Sequence, residues 1–430
     1  MMRKYRTVRI SVICLASFLL LAGCRKNSYS ISTSPVLASL SQPIRVSAKD
    51  MDSAEPAIAV APEGEVYVVW INHGTKSLAD VMISRFTSAG QPSGEPVRVN
   101  SKPGVATAWR GDPPTVAVAP DQTVYVGWTA RVDSESGHAT DLYLSSSKDH
   151  AQTFGPPVRV NDDKKPAVHG MHSLTIGSNG YVYMAWLDER NIAPVEMKEM
   201  KMVPSAKDHH MESNRELFNA YSTDGGQSFS HNQLVARDVC PCCKTALAIA
   251  PDGRIYLGWR QVLPGDFRHI AVSNSTDGGK SFSKPVIVSN DQWVIKGCPV
   301  SGPSLLVDNT GRLRVLWYAG ADNSEQGIYW SESLDGGQSF SSRQLLSPGF
   351  ARSNPILLSD GSSLPIAVWE MQGNSGSEIH AASLSTNPQQ LTVTRGELPA
   401  ATSQNGHTYI VSLEVDSEKR SVWLQQIKRA

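Results

Sequence analysis

Short apolar runs recur along this chain in pairs. Seven of them close on a tryptophan: Trp70, Trp128, Trp186, Trp259, Trp317, Trp369 and Trp423. The intervals are 58, 58, 73, 58, 52 and 54 residues. A second apolar run lies upstream of each Trp, as in Pro56–Val60, Pro114–Val118, Thr245–Ile249 and Pro303–Val307. Proline stands fourteen residues before the Trp at Pro56, Pro114, Pro303 and Pro355. Between the two runs sits a turn such as Ala61-Pro-Glu-Gly64 or Ala250-Pro-Asp-Gly253. Short continuous apolar runs bounded by turn residues predict strands buried on both faces, and each pair predicts a hairpin.

A second pattern follows the first. Ser222-Thr-Asp224-Gly-Gly-Gln-Ser-Phe229 recurs as Ser275-Thr-Asp277-Gly-Gly-Lys-Ser-Phe282 and as Ser333-Leu-Asp335-Gly-Gly-Gln-Ser-Phe340. A decayed copy is Ser147-Lys-Asp149-His-Ala-Gln-Thr-Phe154. The Asp accepts hydrogen bonds from turn N–H groups, Gly supplies positive φ, and the aromatic ring packs under the turn. The pattern resembles the Asp box (BNR repeat) of sialidases and related propellers. That resemblance implies a fold and no activity, because the boxes are structural.

Each repeat then reads as four antiparallel strands in 50–60 residues, which is a propeller blade. The expected fold class is all-β: a β-propeller of four-stranded antiparallel blades. The Pro43-Ile-Arg-Val46 segment resembles the outer strands Pro96-Val-Arg-Val99 and Pro157-Val-Arg-Val160, so it is expected to complete the last blade and close the ring. The last inner pair is read as His407–Val415 with Ser421–Ile427. Seven inner pairs predict seven blades. Sialidases have six, and a six-bladed ring with a C-terminal appendage is the alternative.

The N-terminus is different. Arg3-Lys4-Tyr5-Arg6 precedes an apolar run, Val12 to Leu21, ending in Leu21-Ala22-Gly23-Cys24. This is a secretory leader, too short for a comfortable membrane span. Its ending resembles the lipobox of bacterial lipoproteins, which implies lipidation of Cys24. The expected organisation is a signal peptide at 1–23, a flexible Ser-rich tether at 24–41 and one propeller domain at 42–430. Lipid on Cys24 would place the protein on an envelope membrane, with the outer membrane or the periplasmic face favoured. Composition agrees with a folded body: 40% hydrophobic, 19% charged, 33 Gly and 26 Pro. Lys plus Arg equals Asp plus Glu at 40 each, and the leader takes four of the basic residues. The mature chain is slightly acidic, which argues against a nucleic-acid partner.

Strand alternation sorts the loops. The Asp boxes join third to fourth strands at one end of the ring. The outer-to-inner connections leave from the other, top end, at the mouth of the central channel, where a ligand is expected. The 73-residue interval places a long insertion there, containing Met197, Met200, Met202, His209, His210 and Met211. Neighbouring top segments supply His169, Met171 and His172, then Cys240, Cys242 and Cys243, then Cys298. Thiolate, thioether and imidazole together suit copper, above all Cu(I), with zinc the alternative. Disulfides are the competing reading for an oxidising compartment. Apart from Cys14 and Cys24, four cysteines remain, which allow three pairings. Ties from Cys240 or Cys243 to Cys298 would join neighbouring blades, and Cys242–Cys243 would make a vicinal ring.

The resemblance to sialidases also implies three arginines on a substrate carboxylate, a Tyr/Glu nucleophile pair and an Asp acid/base. The opening of the first blade reads Asp52-Ser-Ala-Glu55-Pro56, without arginine, and no Tyr/Glu pair can be placed. Arg110, Arg260 and Arg352 are candidates for an anion clamp, and Glu55, Arg110 and Asp112 form a candidate polar cluster at the channel mouth. The leading expectation is an envelope propeller binding a ligand on its top face: a small molecule, a glycan or a soft metal. An exo-acting glycosidase of sialidase type and a protein-interaction propeller are the alternatives.

Overall fold

The computed structural model describes residues 37–429, apart from 76–77, 133–137, 193–213, 295–299, 321–324, 352, 362–363, 375, 386–387, 389 and 417–418. No α-helix occurs among the described residues, which fold as antiparallel sheets arranged as blades.

The chain builds each blade from the inside outwards. The first consists of Asp52–Val60, Val66–His73, Ala79–Phe86 and Val97–Arg98. Thr115–Val118, Val124–Arg131, Thr140–Ser147 and Val158–Arg159 form the next in the same order. The strands from His169–Ile176 to Gln233–Val239, and those from Ala246–Ile249 to Val286–Ile287, repeat the pattern. A single pairing, Val239 to Gln261, joins these two blades into one eight-stranded sheet. Further blades begin at Ser304–Val307 and Ile356–Leu358. The innermost strands touch one another in a closed cycle, and Glu397–Gln404 returns to Asp52–Val60.

The final sheet corrects the reading of the C-terminus. Its innermost strand is Glu397–Gln404, followed by His407–Asp416 and Lys419–Arg429. The pair read as innermost is therefore one place further out. The polar face of Glu397–Gln404 hid a strand that carries little apolar pattern. Trp423 accordingly lies on a third strand and is partly exposed, whereas the other six are at most 3% exposed on second strands. Ile44–Arg45 closes this sheet as expected, and Leu37–Leu40, expected to belong to the flexible tether, also pairs with Lys419–Arg429, because that strand offers it a free edge.

Buried Trp indoles need a partner for their one N–H. Trp70, Trp186 and Trp259 donate to the side chain two residues on, Asn72, Asp188 and Gln261. At the top ends of innermost strands the ladder slips, and a non-glycine residue takes positive φ: Glu55 (50°), Met171 (56°) and Leu398 (46°). In these three blades the bulge breaks strict alternation along the innermost strand. The Asp boxes lie at the opposite end, beside the inner hairpin turns. His150 of the decayed box, for example, is 2.8 Å from Glu65.

Candidate metal centre

The Cys240-Pro-Cys-Cys243 segment crosses from the outer strand Gln233–Val239 to the inner strand Ala246–Ile249. It is tied down at both ends. The Cys240 N–H donates to the Arg260 carbonyl at 2.9 Å, extending the Val239–Gln261 pairing. Arg215 donates to the Pro241 carbonyl at 3.0 Å. Cys240, Cys242 and Cys243 are 2%, 6% and 0% exposed. They pack in one apolar cluster with Met171, Leu187, Leu217, Trp259 and Val262.

Cys240 and Cys243 are free thiols with sulfurs 3.4 Å apart. Cys242 is disulfide-bonded, and its sulfur lies 3.9 Å from that of Cys240. This corrects two expectations. Cys242 offers no thiolate to a metal, and neither Cys240 nor Cys243 is tied to another cysteine. Cys298 lies outside the described residues.

Arg260 lies against this pair. It is wholly buried, and its guanidinium donates to the carbonyls of Ser301 (2.8 and 3.2 Å) and Tyr318 (2.9 Å). It also stacks 4.8 Å from the Trp293 ring centre. Among the described residues no carboxylate pairs with it, and its Nη1 has no hydrogen-bond partner. Burial pushes the Cys243 thiol up. The contact with Cys240, the Arg260 charge and the Ser301 N–H outweigh burial and hold it below the ordinary thiol range. Cys240 moves up, through its bond to Cys243 and through burial. The pair thus holds its first negative charge on Cys243, the sulfur facing the arginine.

The histidines do not join the cysteines. His172 Nδ1 is 3.0 Å from Asp112 Oδ1, and Thr129 donates to the other carboxylate oxygen. His172 stands against Gly127, on the second strand of the preceding blade. His169 hydrogen-bonds the Thr140 carbonyl through Nδ1, and its Nε2 lies 3.2 Å from Asp163 and 3.3 Å from Asp188. Burial opposes its charge, but the two aspartates win and push it up to about 9. Its Nε2 thus faces Asp163 and Asp188 rather than the cysteines. Asp141, Asp163 and His169 bring their ligand atoms together as a second group, whose acids are paired with Arg159 and Arg190. Met171 is where expected, buried in the cysteine cluster. Met197, Met200, Met202, His209, His210 and Met211 lie outside the described residues.

The expected anion clamp does not assemble. Arg260 serves the interior rather than the surface. Arg110 is paired with Glu370 (3.2 Å) and Glu397. Arg352 lies outside the described residues. Glu55 is buried between His73 (2.6 Å) and Arg420 (3.7 Å), and Asp112 belongs to His172. Glu55 and Arg110 do line the central channel, a cavity of about 400 Å³, but both charges are already answered. Sequence reasoning misplaced Arg260, although a signal was present. It follows Trp259 on a strand buried on both faces, where Leu187 and Tyr318 stand in other blades.

The sequence matches no family model and no curated protein. The fold is similar to that of several solved structures. An ulvan lyase of polysaccharide lyase family PL25 aligns over 89% of this chain and 95% of its own, at TM-score 0.58 and 11% identity. A protein of unknown function from Dyadobacter fermentans aligns over 91% and 99%, at TM-score 0.54 and 12% identity. A Hadza microbial sialidase aligns over 84% and 76%, at TM-score 0.49 and 12% identity. At such identities the likeness is one of fold alone: this chain shares its architecture of antiparallel blades with the ulvan lyase and the Dyadobacter protein.

Proposed function

We propose that this chain is a cell-envelope propeller of seven blades whose working group is a soft-metal centre formed by Cys240 and Cys243, with copper the leading metal and zinc the alternative. One observation carries the reading: two buried free thiols 3.4 Å apart, with a buried arginine that has no carboxylate partner among the described residues. A metal–thiolate bond is about 2.3 Å long, so two sulfurs sharing one ion stand at most about 4.6 Å apart. The observed pair needs only a small opening. Apolar walls and sulfur donors favour a soft ion over magnesium or calcium.

Access is supported by a top-face pocket of about 340 Å³ lined by Trp109, Arg131, His169, Met171 and Arg215. Met171 belongs both to its wall and to the cysteine cluster, and Arg215 holds the cysteine segment through Pro241. A thioether on that path suits passage of the same class of ion. Lipid on Cys24 would hold this body at an envelope membrane. The glycosidase reading has no assembled set of free acids and bases among the described residues.

The test is titration with Cu(I), kept reduced by ascorbate, against a chelator of known affinity. Wild type should bind one equivalent, and Cys240→Ser/Cys243→Ser should bind none at that site. Equal uptake by both proteins, or none by wild type, rejects the proposal.

A further inference from the structure

Resting on the metal reading above, we infer that Arg260 makes the Cys240–Cys243 site select a monovalent soft cation over a divalent one. What sets the preference is the charge left in a closed space. Arg260 is 0% exposed and carries a permanent positive charge. A buried charge is tolerated only when something opposite answers it. Its hydrogen bonds reach the Ser301 and Tyr318 carbonyls, which are dipoles without net charge.

The neighbouring ionisable groups do not supply the missing anion. Arg268 is paired with Asp266 at 2.6 Å. Asp291 is paired with Arg343 and accepts the Trp317 indole N–H. His269 is pushed toward its neutral form by burial. Among the described residues, Cys243 is the group left to answer that charge: its sulfur meets the N–H of Ser301, the residue whose carbonyl accepts from the guanidinium.

Two thiolates carry two negative charges. A monovalent ion between them leaves one, which Arg260 cancels. A divalent ion leaves none, and Arg260 is then an unanswered charge in an apolar cluster. Zinc and cadmium bind bis-thiolate sites well in water-exposed settings, where solvent answers the residual charge. Here Cys240, Cys243 and Arg260 are at most 2% exposed, and solvent cannot do so. Arg260 contributes a charge and no ligand atom, so it acts as a specificity-determining residue and not as a ligand.

Two variants remove the charge in different ways. Arg260→Met deletes it. Trp293→Glu leaves the arginine and places a carboxylate where the stacked ring now lies. Each makes the monovalent complex one unit negative and the divalent complex neutral. The experiment titrates Ag(I) and Cd(II), both redox-inert, into wild type, both variants and Arg260→Lys, and reads the sulfur-to-metal absorption. The ratio of Ag(I) to Cd(II) affinity should fall on the order of 10–100-fold in both charge-removing variants. Arg260→Lys should keep the wild-type ratio, because it keeps the charge. If Arg260→Met lacks a cooperative thermal transition, Trp293→Glu carries the test alone. An unchanged ratio in a folded variant that binds both ions overturns the role of Arg260 and leaves the metal centre standing. Wild type that binds neither ion overturns the metal centre, and the selectivity with it.

Discussion

His169 shows how a single buried side chain can read differently in sequence and in space. Beside Met171 and His172 it looked like a soft ligand. In the fold it is a cation held by Asp163, Asp188 and the Thr140 carbonyl. Its pKa is pushed up to about 9, above the ~6.5 of an unfolded histidine. A raised folded-state value means that the charged group stabilises the fold fully below about pH 6.5. The contribution drains away as pH rises through 9. The melting temperature should therefore decline between pH 7 and pH 9.5, and His169→Asn should flatten that decline. A variant whose profile parallels wild type would show that the imidazolium contributes nothing. The bulge between Gly170 and Ser173 explains why sequence spacing misled here. With Met171 at positive φ, His169, Met171 and His172 do not alternate as they would in a regular strand, and each meets a different neighbourhood.

At the scale of the element, the Asp box is the best-read part of the chain. Asp277 accepts from the Lys280 and Ser281 N–H groups at 3.0 Å each and from the Ser275 and Ser281 hydroxyls at 2.7 and 2.5 Å. Asp224 and Asp335 repeat this geometry. So does Asp149, although His150 and Ala151 replace the two glycines and must take φ of 58° and 61°. The carboxylate, more than the glycines, defines the turn. Asp277→Ala should cost about 1–3 kcal/mol, as expected for losing hydrogen bonds to a charged acceptor. It should leave metal uptake unchanged, since the box lies at the end of the blade away from the cysteines. Denaturant unfolding with a parallel titration checks both halves. Unaltered stability with lost uptake would place the boxes on the working face. The innermost strand Glu397–Gln404 was invisible for the opposite reason. Its stability comes from neighbours on both sides, so its own residues need little apolar pattern.

The whole molecule is closed by its two ends. The N-terminal strands pair with Lys419–Arg429, so the ring has no open edge between its first and last blades. The residue proposed to carry lipid, Cys24, precedes the first of those strands by only thirteen positions. No described helix is long and apolar enough to cross a membrane. Cys24→Ala should therefore move the protein from the membrane fraction to a soluble or unprocessed form. A fully processed variant that still sediments with membranes after a carbonate wash would refute lipid anchoring at Cys24.

The sequence by itself determined the blade: its period, its buried tryptophans, its Asp-box turns and the end of the ring where the cysteines lie. These features repeat, and each is local, arising from apolar alternation and turn chemistry within about fifteen residues. It also brought Cys240, Cys243 and Met171 into one candidate group. Only the tertiary structure decided which sulfurs are free, which histidines are spoken for, and that Arg260 faces inward. Those outcomes depend on pairings between residues far apart in the chain, such as Arg260 with Ser301 and His172 with Asp112. A charge is assigned to surface or interior by the partners that desolvate it, and no local pattern along one strand carries that information.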